Sequence, residues 1–326
     1  MSTKVKTAQQ GPVLRGAKYV WSEHSIILAL IAMIVVASLI EPRFGTASNL
    51  LLIARQASII GMIALGMTFV IITGGIDLSA GPVVATAGTV LILMLRIPAM
   101  PAPVAILICL AAGALIGAIN GGIITRFQLP AFIVTLAIGT IARSVTMWYL
   151  QGLSVSVPRD RPMPEFQQIG NGSLWVIPIP LIIWVVFAVI LGIVLAYTKF
   201  GSYIYAVGGN ENAAKYSGIS TNRIKFAAYV LTGFCAAAAG ILSVSRTLAV
   251  SAVGTGLLYE FDAITAVVIG GTALSGGRGK ISSSLFGMLI IALVSNLMIM
   301  MGISPFLTGT LKGCIILGAV FLQKRN

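Results

Sequence analysis

The chain has 326 residues, 58% of them apolar and only 9% charged, whereas a soluble domain carries about 25% charged residues. A mean hydropathy of +1.02 excludes an ordinary water-facing globule. At about 20 residues per bilayer crossing, the chain has room for roughly ten or eleven helices and none for a separate catalytic domain. The net charge of +13 lies at helix ends instead of on one solvated face, which points to the cation bias of cytoplasmic loops and away from nucleic acid.

Residues 1–24 are polar and carry Lys4, Lys6, Arg15 and Lys18. This stretch is longer than the charged part of a secretory signal and no small-residue cleavage site follows, so it reads as a cytoplasmic lead-in to an uncleaved first helix. Apolar runs then fall at about 24–40, 58–73, 82–95, 102–124, 131–150, 176–197, 226–245, 261–275, 282–302 and 305–322, each bounded by a charge, Pro or Gly. The sequence therefore predicts an all-α, polytopic transmembrane bundle of about ten spans. Its units are one membrane domain over 25–322, with a cytoplasmic loop at 198–225, and a cytoplasmic tail at 323–326.

The runs 58–73 and 82–95 are too short to cross upright. They flank the segment GGIDLSAG, Gly74 to Gly81, so short or broken helices are expected there. With the amino terminus inside, Arg43, Arg55, Arg96, Arg159, Arg161 and Arg246 fall outside and Arg143 and Lys312 within spans. All other Lys and Arg residues then lie in the cytoplasm, along with both termini. Tyr19, Trp21, Trp148 and Tyr149 sit at span ends, where amphipathic rings anchor at the interface. The Pro-rich outer connection from Gln151 to Trp175 cannot be one continuous helix and offers both charge signs to a soluble partner.

Gly74, Gly75 and Asp77 stand in a pattern, GGxxLSxG, that returns at Gly270 and Gly271. Both copies follow an apolar run and end helices running the same way, which predicts two parallel internal repeats. A carboxylate at Asp77 is placed to hold a broken helix by accepting backbone donors. Within the spans, Asn120, Asn296 and Arg143 are polar groups that face protein or water in a bilayer. Amides both donate and accept hydrogen bonds, so these three are the candidate lining of a translocation pathway for a polar solute, against the alternative that the two amides only glue helices together.

No constellation for catalysis, cofactor binding or metal ligation appears. The eight acids are scattered along the chain, His24 is the only histidine, and Cys109, Cys235 and Cys314 lie singly in apolar runs. The segment around Gly279 and Lys280 fails as a phosphate loop, because Leu274 occupies the position of the leading glycine and Ile281 that of the Ser or Thr. Any ATP-driven step therefore belongs to another subunit.

The inner loop carries the clearest local signal. In Gly209-Asn210-Glu211-Asn212-Ala213-Ala214-Lys215-Tyr216-Ser217-Gly218 an asparagine caps, Glu211 occupies the first turn and a glycine stops the helix. Two turns are marginal alone, so this helix would gain stability in a partner's groove.

Four segments together, GGIDLSAG, PAFIVTLA, GGNENAAKYSGI and AITAVVIGGTALSGGRGK, resemble the membrane permeases of ribose-type bacterial ABC sugar importers, over about Ser25 to Phe321. That resemblance implies a multi-pass inner-membrane subunit translocating a monosaccharide. It also implies three partners: a cytoplasmic ABC ATPase with two cassettes, a periplasmic sugar-binding protein, and a second permease subunit, identical or paralogous. Gly209, Asn210, Glu211, Ala213, Ala214, Ser217 and Gly218 match the element through which such permeases engage the ATPase. An ion-coupled carrier using Asp77, Arg143 and Lys312 is the alternative reading, and it has no need for a capped docking helix.

Overall fold

The computed structural model describes residues 12–158, 160, 162–304, 307, 309–310 and 313–314, and 74% of these described residues are helical. Short connections join α1 (Pro12–Ile40), α2 (Ala47–Ile72), α3 (Ala80–Arg96), α4 (Ala102–Phe127) and α5 (Ala131–Tyr149). Punctuation is set by residue type. Pro103 falls in the first turn of α4, where a missing N–H costs nothing, and Pro130 caps the start of α5.

The outer connection holds β1 (Ser154–Ser156), α6 (Pro164–Asn171) and a small hairpin of β2 (Ser173–Leu174) and β3 (Ile177–Pro178). Its prolines permit α6 because Pro164 stands in the first turn. There follow α7 (Ile179–Tyr197), α8 (Lys199–Gly209), α9 (Glu211–Tyr216), α10 (Thr221–Thr247), β4 (Ala249–Ser251), α11 (Tyr259–Ile269) and α12 (Ile281–Met300).

Each apolar run from 24–40 to 282–302 overlaps one of these helices, but the run 261–275 outlasts α11, which stops at Ile269 where the glycine motif begins. The run 305–322 lies largely outside the described residues, as do residues 1–11, Arg159, Arg161, Lys312 and the tail 323–326. Six helices, α2, α4, α5, α7, α10 and α12, are long and apolar enough to cross a membrane, while the apolar part of α1 (Ile26–Ile40) and α3 are shorter. One expectation changes. The run 58–73 belongs to a full-length helix of 26 residues, about 39 Å, because Asn49, Arg55 and Gln56 interrupt the apolar pattern without breaking α2.

Helix α10 is the hub, packed against α4, α2 and α3 through the small residues Ala236, Ala237 and Ala239. Its closest neighbour is α4, because Gly113 and Gly117 are one turn apart on the facing side. A Cβ on Gly113 would stand 2.5 Å from the carbonyl oxygen of Gly233, and one on Gly117 would collide with that of Tyr229. In lipid, where apolar burial gives helices no reason to associate, such close backbone approach supplies the packing. Elsewhere α5 turns Phe132, Leu136 and Val145 outward and α7 turns Val186, Val189 and Ile193 outward, as lipid-facing helices do. At one end of the bundle, β1 pairs antiparallel with β4 in the register Ser154 to Ser251, tying the connection after α5 to that after α10.

Candidate functional site

The inner segment between α7 and α10 is built from two capped helices at an angle. Thr198 closes α7 by donating to Val194 O (2.6 Å) and opens α8 by accepting from Gly201 N (3.3 Å). Asn210 then takes extended backbone angles that end α8, and its Oδ1 accepts from Ala213 N at 2.9 Å, capping α9. Glu211 lies in the first turn and Lys215 in the last, each matching the helix dipole. Gly218, at φ +81°, reverses the chain, so that Gly218 N reaches Lys215 O (3.1 Å) and Ile219 N reaches Ala214 O (3.0 Å).

Two contacts hold α9 down. Ala214 is buried beneath it, and Lys225 Nζ at the start of α10 lies 2.5 Å from Glu211 Oε2. The opposite face is free: Asn212, Ala213 and Lys215 are exposed, Tyr216 is 91% exposed, and Ser217 donates back to Ala213 O at 2.9 Å. Gly209 has open space around it. The result is a short, rigid helix presenting a small-residue surface with one large aromatic.

The two glycine motifs end α2 and α11, and their backbones differ in detail. The left-handed residue is Gly74 in the first copy, at φ +81°, whereas the second has three, Gly271, Gly276 and Gly277, at φ +86°, +85° and +75°; Gly270, which aligns with Gly74, is right-handed. Between α2 and α3 the chain is extended and held by a buried network. Asp77 Oδ1 accepts from Ser79 N (2.9 Å) and Ser79 Oγ (2.6 Å), Asn120 Nδ2 donates to Ser79 Oγ (2.7 Å), and Thr135 Oγ1 accepts from Leu78 N (3.0 Å).

Arg143 of α5 reaches the turn before α11, where its Nη1 donates to Thr255 O (2.6 Å) and Ala252 O (3.3 Å). Glu260 lies within its electrostatic reach, and the Glu260 carboxylate packs against Gly81 at the start of α3. The breaks before α3 and before α11 therefore adjoin, with Asp77, Asn120, Arg143 and Glu260 around them. Asn296 is elsewhere. Its Oδ1 accepts from Asn49 Nδ2 at 3.0 Å, joining α12 to the start of α2. Sequence reasoning passed over Ser79, Thr135 and Glu260. Ser79 was visible inside the glycine motif, but nothing in the linear spacing links Glu260 to Arg143.

Residues 49–320 match the family described as branched-chain amino acid transport system / permease component. The ribose import permease protein RbsC of Escherichia coli (strain K12) is 40% identical over 307 residues, covering 93% of this chain and 94% of that protein. The protein of the same name from Haemophilus influenzae is 39% identical over 298 residues, covering 91% and 92%. The galactofuranose transporter permease protein YtfT of Escherichia coli is 34% identical over 311 residues, covering 92% and 89%. No solved structure matches. A match over most of the chain, on a helical body with six helices long and apolar enough to cross a membrane among the described residues, makes this protein a member of that family of transport-system permease components.

Proposed function

We propose that this chain is the membrane subunit of an ATP-driven importer that carries a monosaccharide, of ribose-like pentose or hexose type, into the cytoplasm. The observation that carries the reading is α9, a capped helix fastened to α10 by Glu211 and Lys225, with Ala213 and Tyr216 facing outward. Such a helix suits docking into an ATPase groove, and relatives named as ribose and galactofuranose permeases support the substrate class. The ATPase is a separate protein with two cassettes. A periplasmic sugar-binding protein delivers the sugar to the outer side, and a second permease subunit completes the pore.

In this reading about ten spans place both termini in the cytoplasm of the inner membrane, with α3 and α11 as the short members of two parallel repeats. The arrangement is supported by β1 and β4 sharing one end of the bundle while both glycine motifs share the other with α8. Asn120 and Arg143, near the adjoining breaks, are the pathway residues we favour. Asn296, bonded to Asn49, is assigned to helix contact.

Two measurements test the proposal. Inverted vesicles containing the chain with its ATPase and binding protein should show ATP-dependent movement of labelled ribose that survives an ionophore. Collapse with the ionophore and indifference to ATP would mean an ion-coupled carrier. Ala213→Asp should place a charge in an apolar groove at a cost of about 2 kcal/mol, roughly 30-fold in affinity, and so deplete the ATPase that co-purifies. Co-purification at the wild-type level would overturn the assigned role of α9.

A further inference from the structure

Three stretches of backbone meet at the inner end of the bundle with no side chain between them. Gly277 N, in the second glycine motif, donates to Ile72 O at the end of α2 at 2.9 Å. Gly208, the penultimate residue of α8, lies against both, since a Cβ there would collide with Ile72 O and stand 2.6 Å from Gly277 N. Gly276, at φ +85°, completes the contact. A Cβ on it would stand 2.9 Å from Gly208 O, 3.0 Å from Ile72 O and 3.1 Å from Gly74 N. Beside this knot Tyr205 Oη, from α8, donates to Gly279 O at 2.7 Å. The end of α8 thus touches the last residue of α2, just before the first glycine motif, and the second motif at once, two residues before Asn210 caps α9.

We propose that Gly208 and Tyr205 are positioning residues that pass movement of α9 to the breaks after α2 and before α12 together. The inference rests on the importer reading, in which the ATPase moves α9. Side-chain contacts absorb small displacements by changing rotamer, whereas backbone against backbone does not, so a shift of α8 must displace Ile72 and Gly277 or break the contact. The first motif is in turn bonded through Asp77 and Ser79 to Asn120 of α4, which carries the displacement into the membrane. Tyr205 adds direction, because its hydroxyl holds the strand leading into α12 at a fixed distance from α8.

The test uses the purified complex of the full chain with its ATPase. A Ser275→Cys reporter stands on the exposed part of the second motif, with Cys314→Ser removing the native thiol outside the buried set. Trapping with ATP and vanadate should change the maleimide labelling rate of the reporter by about fivefold or more. Tyr205→Phe and Gly208→Ala should abolish most of that change while the ATPase stays bound and hydrolyses ATP. Gly122→Ala, on α4 with open space around it, should leave it intact. A reporter that does not respond to nucleotide in the parent complex overturns the inference, as does a full response in Tyr205→Phe. That variant removes one hydroxyl and decides the matter even if Gly208→Ala fails to fold. Failure of the wild-type chain to retain any ATPase would instead bring down the importer reading, and this inference with it.

Discussion

At the scale of single residues, the extended segment between α2 and α3 shows how a chain inside a bilayer is held without a helix's own hydrogen bonds. Leu78 N and Ser79 N have lost helical partners, and Thr135 Oγ1 and Asp77 Oδ1 replace them. Asp77, Ser79 and Thr135 are buried, so an orphaned donor among them bears its desolvation cost. Thr135→Val should therefore lower stability by about 1–3 kcal/mol, seen as a reduced melting temperature in detergent. Asp77→Asn keeps an acceptor for both Ser79 donors and should cost only about 1 kcal/mol, the difference between a charged and a neutral acceptor. Equal losses in the two variants would mean that charge and not geometry fixes the segment. The need for a backbone acceptor at Asp77 is legible from its place in a glycine motif. The identity of Asn120 and Thr135 as partners is not, since they stand 41 and 57 residues away on other helices and no local pattern marks them.

At the scale of elements, membrane helices announce themselves because a single physical requirement, continuous apolarity, governs them, and their ends follow Pro, Gly and charge. What the pattern misses are helices stabilised by something else. Helix α8 mixes Gly201, Ser202 and Gly208 with Phe200, Tyr203 and Ile204, a composition that reads as a loop. It is helical because Thr198 caps it and Ile204 and Val207 are buried against the bundle. The intimacy of α4 and α10 is likewise invisible in hydropathy, since Gly113 and Gly117 look like any glycines in a chain with 36 of them. Their function is contact, and it is testable: Gly117→Leu should overpack the seam by about 1–3 kcal/mol and lower the yield of folded protein on size-exclusion chromatography. Leu at Gly122, which meets nothing within 4 Å, should be tolerated.

For the molecule as a whole, orientation follows from a few exposed side chains at opposite ends. Trp175 at the tip of the β2–β3 hairpin is 95% exposed and Tyr216 on α9 is 91% exposed. In a background lacking Cys314, Trp175→Cys should react with an impermeant thiol reagent from the periplasmic side and Tyr216→Cys from the cytoplasmic side. The reverse result would invert the topology and remove the ATPase from α9. The placement of Lys and Arg predicts a sidedness, and this labelling tests it. Residue chemistry could not anticipate that Arg143 and Glu260 lie within electrostatic reach of each other, because that placement depends on how α5 and α11 are folded around α3.

The β1–β4 ribbon has a consequence for how such a body can deform. Its three paired positions, Ser154 with Ser251, Val155 with Val250 and Ser156 with Ala249, clamp two distant stretches of chain at the outer rim by main-chain hydrogen bonds. The opposite rim has no comparable ladder among the described residues, only the main-chain bond from Gly277 N to Ile72 O and the Tyr205 hydroxyl bond beside close-packed glycines. A body laddered at one rim and held by fewer bonds at the other is expected to pivot about the laddered side. Small rotations there are magnified across the thickness of the membrane, and the greatest travel falls at the end where α9 waits.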